Sequence, residues 1–251
     1  MKEALGRAAI FLGYAIHSSK NVPLTSVTLE APIVLDVGMP DPIPLADRKR
    51  YQAEFTQWAI GQGLIEIDQS YQRYVVSAID TLADLTEVLT TRELATPRKP
   101  NLANTWTVHK QFYENLGQQS LERTTESNYL RSLGNARNCL AHDSGLVTER
   151  RINNGESTLL VSWPGRDTIL IDKDEERTVL QRDRSYCVRA KDVGSKFRIK
   201  EVVREHHYAK GERIIFSQTD LSEIIFFYQI LAMKVSCEMH RIVGEKQLVS
   251  D

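Results

Sequence analysis

Residues 137–142 read Arg-Asn-Cys-Leu-Ala-His, and Arg137 and His142 are the pair in this stretch from which chemistry can be built. A free imidazole, with a pKa of about 6.5, exchanges a proton at neutral pH. A guanidinium neutralises charge that gathers on a phosphate while bonds are made and broken. RNA supplies its own nucleophile, the 2′-hydroxyl, so the two groups suffice for transesterification without a metal, a cofactor or a protein nucleophile. His142 falls in the last turn of an expected helix, where the macrodipole favours the protonated imidazole and suits it to act as general acid as well as base.

Placed on a helix at about 100° per residue, Ser127 to His142 shows two opposed stripes. Tyr129, Leu133, Ala136 and Leu140 form the apolar one, and Arg131, Asn135, Asn138 and His142 the polar one. His142 is therefore expected to face away from the core. Arg137 falls between the stripes, with a stem long enough to swing its guanidinium to the polar side. Gly134, beside the polar stripe, leaves room for a partner helix, such as a second copy of this one across a symmetric dimer. Two plainer readings use the same residues. In one, the stripe is a solvated face whose Arg and His cap the last carbonyls. In the other, it grips RNA or a protein partner without cleaving anything.

The elements that must position this stretch follow from periodicity. A helix is expected over 3–17, an edge strand or two over Leu24 to Val37, and an extended linker at Pro40, Pro42 and Pro44. Asp47 to Thr91 contains no proline and repeats its apolar residues at helical spacing, which predicts one long helix or two with a kink at Gly61-Gln62-Gly63. Helices are predicted over Thr107–Leu116 and Ser127–His142, the second stopped by Gly145. Thr158–Trp163, Thr168–Ile171, Ser185–Val188 and Phe197–Val203 are short β-prone runs separated by turn residues, among them Pro164-Gly165. Asp220 to Val243 is a closing helix capped by Thr219 or Asp220. The fold class expected is mainly α: a helical bundle (46–150 and 219–251) interrupted by a small antiparallel β insertion (151–218) and preceded by a helix/strand addition (1–45).

Composition narrows the function classes. With 41% hydrophobic and 26% charged residues, the chain reads as an ordered globular protein. Its 32 Lys/Arg against 33 Asp/Glu confine any nucleic-acid contact to a local basic surface. Residues 177–213, with 11 Lys/Arg against 5 Asp/Glu, fit either such a surface or a solvated hairpin face balanced by the acidic run 172–176. Three scattered cysteines, Cys139, Cys187 and Cys237, argue for a reducing compartment, the cytoplasm. Ala8 to Ile16 reads as a core helix and not as a cleaved leader, and no run approaches the roughly 20 apolar residues of a membrane span. His206-His207 and Cys237-x2-His240 lack the further ligands of a zinc site, and His17 and His109 read as structural. The dinucleotide, phosphate-loop, GxSxG and HExxH motifs are missing, so the expectation is chemistry without metal or cofactor.

Arg137-Asn138, three residues, then His142 resembles the Arg-polar-x3-His signature of the HEPN superfamily (higher eukaryotes and prokaryotes nucleotide-binding domain). The layout is similar over 46–150 and 219–245: a long first helix, the motif on a later helix, a β insertion and a closing helix. The motif itself is six residues long. The resemblance implies a HEPN-like bundle in which the motif helices of two protomers pair into a composite ribonuclease site. It also implies a setting in toxin–antitoxin, abortive-infection or antiviral systems, with an antitoxin or other regulatory partner. On it, Arg137 and His142 are catalytic and Asn138 orients them or the RNA substrate. Arg131 and Asn135, in line with Asn138, join it in substrate positioning. One departure is Ser144, two residues beyond His142, where some toxin members carry a tyrosine that a partner nucleotidylates. The resulting expectation is a cytoplasmic, homodimeric, metal-independent endoribonuclease, with a non-catalytic RNA-binding or protein-interaction module as the alternative.

Overall fold

The computed structural model describes residues 2–21, 44–89, 104–118, 125–152, 156–172, 177–180, 192 and 194–247. Five α-helices and three strands occur among them, with a short 3-10 turn at Glu149–Arg151: α1 (Lys2–Asn21), α2 (Leu45–Leu89), α3 (Thr105–Asn115), α4 (Thr125–His142), β1 (Thr158–Ile171), β2 (Arg177–Val179), β3 (Lys196–Ala209) and α5 (Gln218–Gln247). Helix dominates, as expected, and the strands form one antiparallel sheet in the order β2-β1-β3. No helix among the described residues is long and apolar enough to cross a membrane. The edge strands expected over 24–37 and the run 185–188 lie outside the described residues.

α2 is the spine, packing against α1, α3, α4 and α5. Its buried stripe is Ile60, Leu64, Ile67, Tyr71, Val75, Ile79 and Leu82, at the three- and four-residue steps that keep one helical face inward. Of the two alternatives, one long helix or two with a break, α2 is the first, running without interruption through Gly61-Gln62-Gly63 from Leu45 to Leu89. Both glycines serve close approach instead. A Cβ on Gly61 would lie 3.1 Å from Leu140 Cδ2 of α4, and one on Gly63 2.9 Å from Leu221 Cδ2 of α5. The loss of helix propensity, about 1 kcal/mol per glycine, is offset by letting two neighbouring helices pack against α2.

The caps fix where the helices start. Asn104 accepts a hydrogen bond from the Thr107 amide at 2.8 Å, which starts α3 two residues earlier than predicted. For α5 the cap is Ser217, ahead of the predicted Thr219 or Asp220. Ser217 Oγ accepts from the Asp220 amide at 3.0 Å, and Asp220 Oδ2 accepts from the Ser217 amide at 2.8 Å, a reciprocal capping box.

Pro164-Gly165 does not divide β1 into two strands. The strand runs through them and pairs with β3 without a break from Thr158↔Ala209 to Ile171↔Lys196. In an antiparallel ladder successive residues point their N–H and C=O groups to alternate sides. Thr168 accepts from Leu180 on the side away from β3, so Pro164, four residues before it, also faces that side. β2 covers that edge only at residues 169–171, so the missing proline N–H breaks no ladder bond. Gly165 is required by Arg204, whose Nε would lie 2.4 Å from a Cβ placed there. Leu159, Val161, Trp163 and Tyr208 of the sheet belong to the same core cluster as the helices, so the β insertion packs into the bundle's core.

His109 is structural, as expected, and sits fully inside that core. Tyr71 Oη lies 2.6 Å from His109 Nδ1, and the Tyr113 ring stands edge-on with centroids 5.1 Å apart. Burial pushes the Tyr71 phenol well up and the His109 imidazole down to about 4, with Lys234 adding to the second effect. The phenol therefore keeps its proton and donates it to a neutral ring. The unfolded imidazole titrates at about 6.5, so the unfolded chain takes up the extra proton first as the pH falls. The stability owed to neutral His109 is complete above about pH 6.5 and drains toward pH 4, by roughly 2–3 kcal/mol. Denaturant midpoints at pH 7 and pH 4.5 check this: the wild type should lose that much more than His109→Gln, and equal losses would contradict it.

Candidate active site

α4 buries more than the expected apolar stripe. Tyr129, Leu133 and Ala136 face inward as predicted, Leu130 and Cys139 are wholly buried on either side of them, and Leu140 sits half-buried against Gly61. Burial pushes the Cys139 thiol up to about 11, so it is a core side chain and no thiolate nucleophile. Ser132 leaves the helix sideways: its Oγ accepts from the Ser162 amide at 2.6 Å and donates to the Leu160 carbonyl, capping the free edge of β1. The opposite face carries Arg131 and His142 exposed, with Asn135 and Asn138 half-buried, in the line the sequence predicted. Among the described residues no other element comes within 4 Å of where a Gly134 Cβ would stand, so no contact among them calls for this glycine.

Arg137 departs from expectation in one respect. Its guanidinium reaches the polar side, where Nη1 donates to Asn138 Oδ1 at 2.8 Å, but it is also tied inward, Nε donating to Asp68 Oδ2 at 3.0 Å. Asp68, on α2, has no exposed surface. It also accepts from Thr105 Oγ1 of α3 at 2.8 Å and from Tyr228 Oη of α5 at 2.8 Å. Burial and the neighbouring Asp68 push the Tyr228 phenol well up, so it remains a donor. Four helices thus meet at one carboxylate, and the arginine side chain, 14% exposed, is held at the rim of the polar face. Sequence reasoning missed Asp68. The available signal was an acidic residue directly beside Ile67 and three before Tyr71, on the buried side of a long helix.

The turn after α4 is equally determined. Ser144 and Gly145 both take left-handed backbone, with φ of 54° and 78°, and the Gly145 amide donates back to the Cys139 carbonyl at 2.9 Å. Asp143 is gripped by Arg150 and Arg151, and the Arg151 hydrogen bond, ahead of the Arg150 contact, holds its carboxyl below the usual range. Ile214 donates its amide to the Gly145 carbonyl at 2.8 Å, and Arg213 Nη1 donates to the Ser144 carbonyl at 2.8 Å. His142 therefore stands on a braced corner.

Two of the clefts among the described residues border the candidate site residues of α4. One, of about 840 Å³, lies along its outer side and is lined by Arg131, Asn135, Arg137 and Asn138 together with Trp106 and Asp68. Within it the Arg131 guanidinium stacks over the Trp106 ring at 4.8 Å. The other, of about 740 Å³, holds His142 with Trp58, Glu54 and Arg213. Four of the five sequence-predicted site residues share a cleft, and the fifth, His142, opens onto a different one. Residues five apart on a helix leave it about 140° apart, and among the described residues Arg137 and His142 line different clefts.

The basic segment is engaged in part where it is described. Arg204 bonds to Glu223 and Asp167, and Lys210 to Glu149, while Lys196, Arg198 and Lys200 stand exposed on β3. His206 stacks on Trp163 with the planes 5° apart, and His240 Nδ1 lies 2.8 Å from the Ser236 carbonyl. Among the described residues no group of three His, Cys, Asp or Glu side chains converges as metal ligands would.

Arg137→Ala would leave the Asp68 carboxylate buried with two neutral donors, a loss of roughly 3–5 kcal/mol. Adding Asp68→Asn should recover most of it. Thermal unfolding of the single and double variants checks this, and a single variant as stable as the wild type would show that the pair carries no structural weight. The chain matches no known protein-family model, no curated protein and no solved structure.

Proposed function

We propose that this chain is a metal-independent endoribonuclease of the HEPN type, acting as a homodimer in the cytoplasm, with Arg137 of one chain and His142 of the other serving one phosphodiester. The observation that carries the reading is the division of labour on α4. Arg137 is fixed by a buried carboxylate without being enclosed, and His142 stands exposed on a braced turn five residues later. A fixed guanidinium is preorganised for charge that develops on a phosphate, and an exposed imidazole can reach a 2′-hydroxyl. Because the two open onto separate clefts, a second copy must bring its own α4 alongside, and the open face at Gly134 leaves space for it. Asn138, hydrogen-bonded to Arg137, orients the guanidinium, while Arg131 and Asn135 line the same cleft for the RNA backbone. A toxin or antiviral effector restrained by an antitoxin or other partner is the setting this activity fits.

The separation of the two clefts also favours a second reading, a binding module in which Arg137 serves only the bundle and the polar face of α4 grips RNA or protein. Incubation of the purified chain with RNA in EDTA distinguishes them. The nuclease should release fragments ending in 2′,3′-cyclic phosphate. His142→Ala should lower the rate by about 10²–10⁴ while leaving the melting temperature in place, because the side chain is exposed. A requirement for a divalent ion, or full cleavage by His142→Ala, would contradict the proposal.

A further inference from the structure

Of the three tryptophans, Trp106 and Trp163 are buried, at 8% and 0% exposure, whereas Trp58 keeps 60% of its surface in solvent. Its position is on the outer side of α2, one residue before the buried Ala59-Ile60 pair, where core packing does not call for an indole. Phe55, one turn earlier, stacks on it with centroids 5.8 Å and planes 28° apart, which stiffens the ring without covering it. The indole forms a wall of the same cleft that holds His142. Arg213 forms part of that lining too, anchored through Nη1 to the Ser144 carbonyl, and Gln57 and Gln62 add amide groups. Glu54 is the one carboxylate in the lining.

We infer that this cleft is a subsite for an unpaired RNA base, which stacks on Trp58 while the adjoining phosphate meets Arg213 and the sugar lies toward His142. The inference rests on the ribonuclease reading and adds to it the form of the substrate, a single strand. An indole face is worth most to a base that has left its helical stack, and every base has such a face, so the platform selects single strands while tolerating any sequence. Arg213 supplies one phosphate contact, the term that makes affinity fall with salt. The amides of Gln57 and Gln62 and the Glu54 carboxylate offer donors and an acceptor to the base edge. The cleft sets one indole, with Leu140 and Ile214, among an imidazole, a guanidinium, two amides and a carboxylate, a mixture that offers a base both a face to stack on and polar groups for its edge.

The test uses the full chain and a single-stranded 2′-O-methyl oligonucleotide, which lacks the nucleophile and is not cleaved. With its other two tryptophans buried, the protein should show Trp58 fluorescence quenching by the single strand and much less by a duplex of the same sequence. Trp58→Ala should abolish the quenching and weaken binding roughly 5- to 150-fold, with Trp58→Phe retaining most of the affinity. Arg213→Ala should lower the slope of log K against log salt by about 0.7, one phosphate on a single strand. On cleavable RNA, Trp58→Ala should raise KM more than it lowers kcat. Unchanged affinity in Trp58→Ala, equal quenching by the duplex, or Trp58-dependent self-association without RNA binding would each overturn the inference. If cleavage depends on His142 but not on Trp58, the subsite is wrong and the nuclease stands. If Trp58 binds single strands and nothing is cut, the nuclease is wrong and the subsite stands.

Discussion

Asp68 places a carboxylate where it has no exposed surface, and the donors that answer it come from three other helices, Thr105 on α3, Arg137 on α4 and Tyr228 on α5. A buried ion pair is a poor way to gain stability, because desolvation of the two charges takes back much of their attraction. It is a good way to select one arrangement, since any slip of one helix past another leaves a bare charge in the core. The bundle is therefore set by a point at which α2, α3, α4 and α5 must agree, with apolar packing around it supplying the driving force. The same contact removes most of the rotamer freedom of Arg137. A guanidinium that has already lost that freedom does not lose it again when it meets a phosphate. On the proposed function the structural and the chemical value of this arginine would be one feature, so that its removal would have a structural cost as well as a chemical one.

A second carboxylate, Glu223 on α5, ties the sheet to the bundle in a similar way. It accepts from Trp163 Nε1 at 3.1 Å, from the Arg166 amide at 3.0 Å and from Arg204, which also reaches Asp167 at 2.7 Å. Ser132 of α4 closes the same strand edge further along. The edge of β1 that β2 leaves open is thus occupied by side chains of the bundle, and a strand edge that would otherwise invite another chain is used up internally. The strand-like segment 211–214 then pairs back onto the turn after α4. The sheet reaches the candidate site through that corner, bracing His142 from behind.

The helices were legible because their apolar residues repeat at helical spacing and their ends carry capping residues. The outward face of α4 was legible for the same reason, and His142, Asn138, Asn135 and Arg131 stand where phasing sets them. What the sequence concealed were contacts between distant elements. Gly61 and Gly63 look like a break until Leu140 and Leu221 are seen against them, and Pro164-Gly165 looks like a turn until Arg204 is seen crossing the glycine. Helical phasing left Arg137 between two faces, and its inward tie depends on Asp68, 69 residues earlier. Trp58 shares the helical spacing of the apolar residues of α2, yet the buried stripe passes beside it.

On the proposed function the catalytic pair is shared between two chains, and mixing two inactive variants tests that sharing most directly. Arg137→Lys keeps a cation beside Asp68 but loses the fork of the guanidinium, and His142→Ala lacks the imidazole. In a mixed dimer that trades these residues, one of the two sites has both an intact Arg137 and an intact His142. Equal mixing after dissociation and reassociation should therefore restore about a quarter of wild-type RNA cleavage in EDTA, because half of the dimers are mixed and each has one working site. A mixture as inactive as its components would show that the pair is not exchanged between chains.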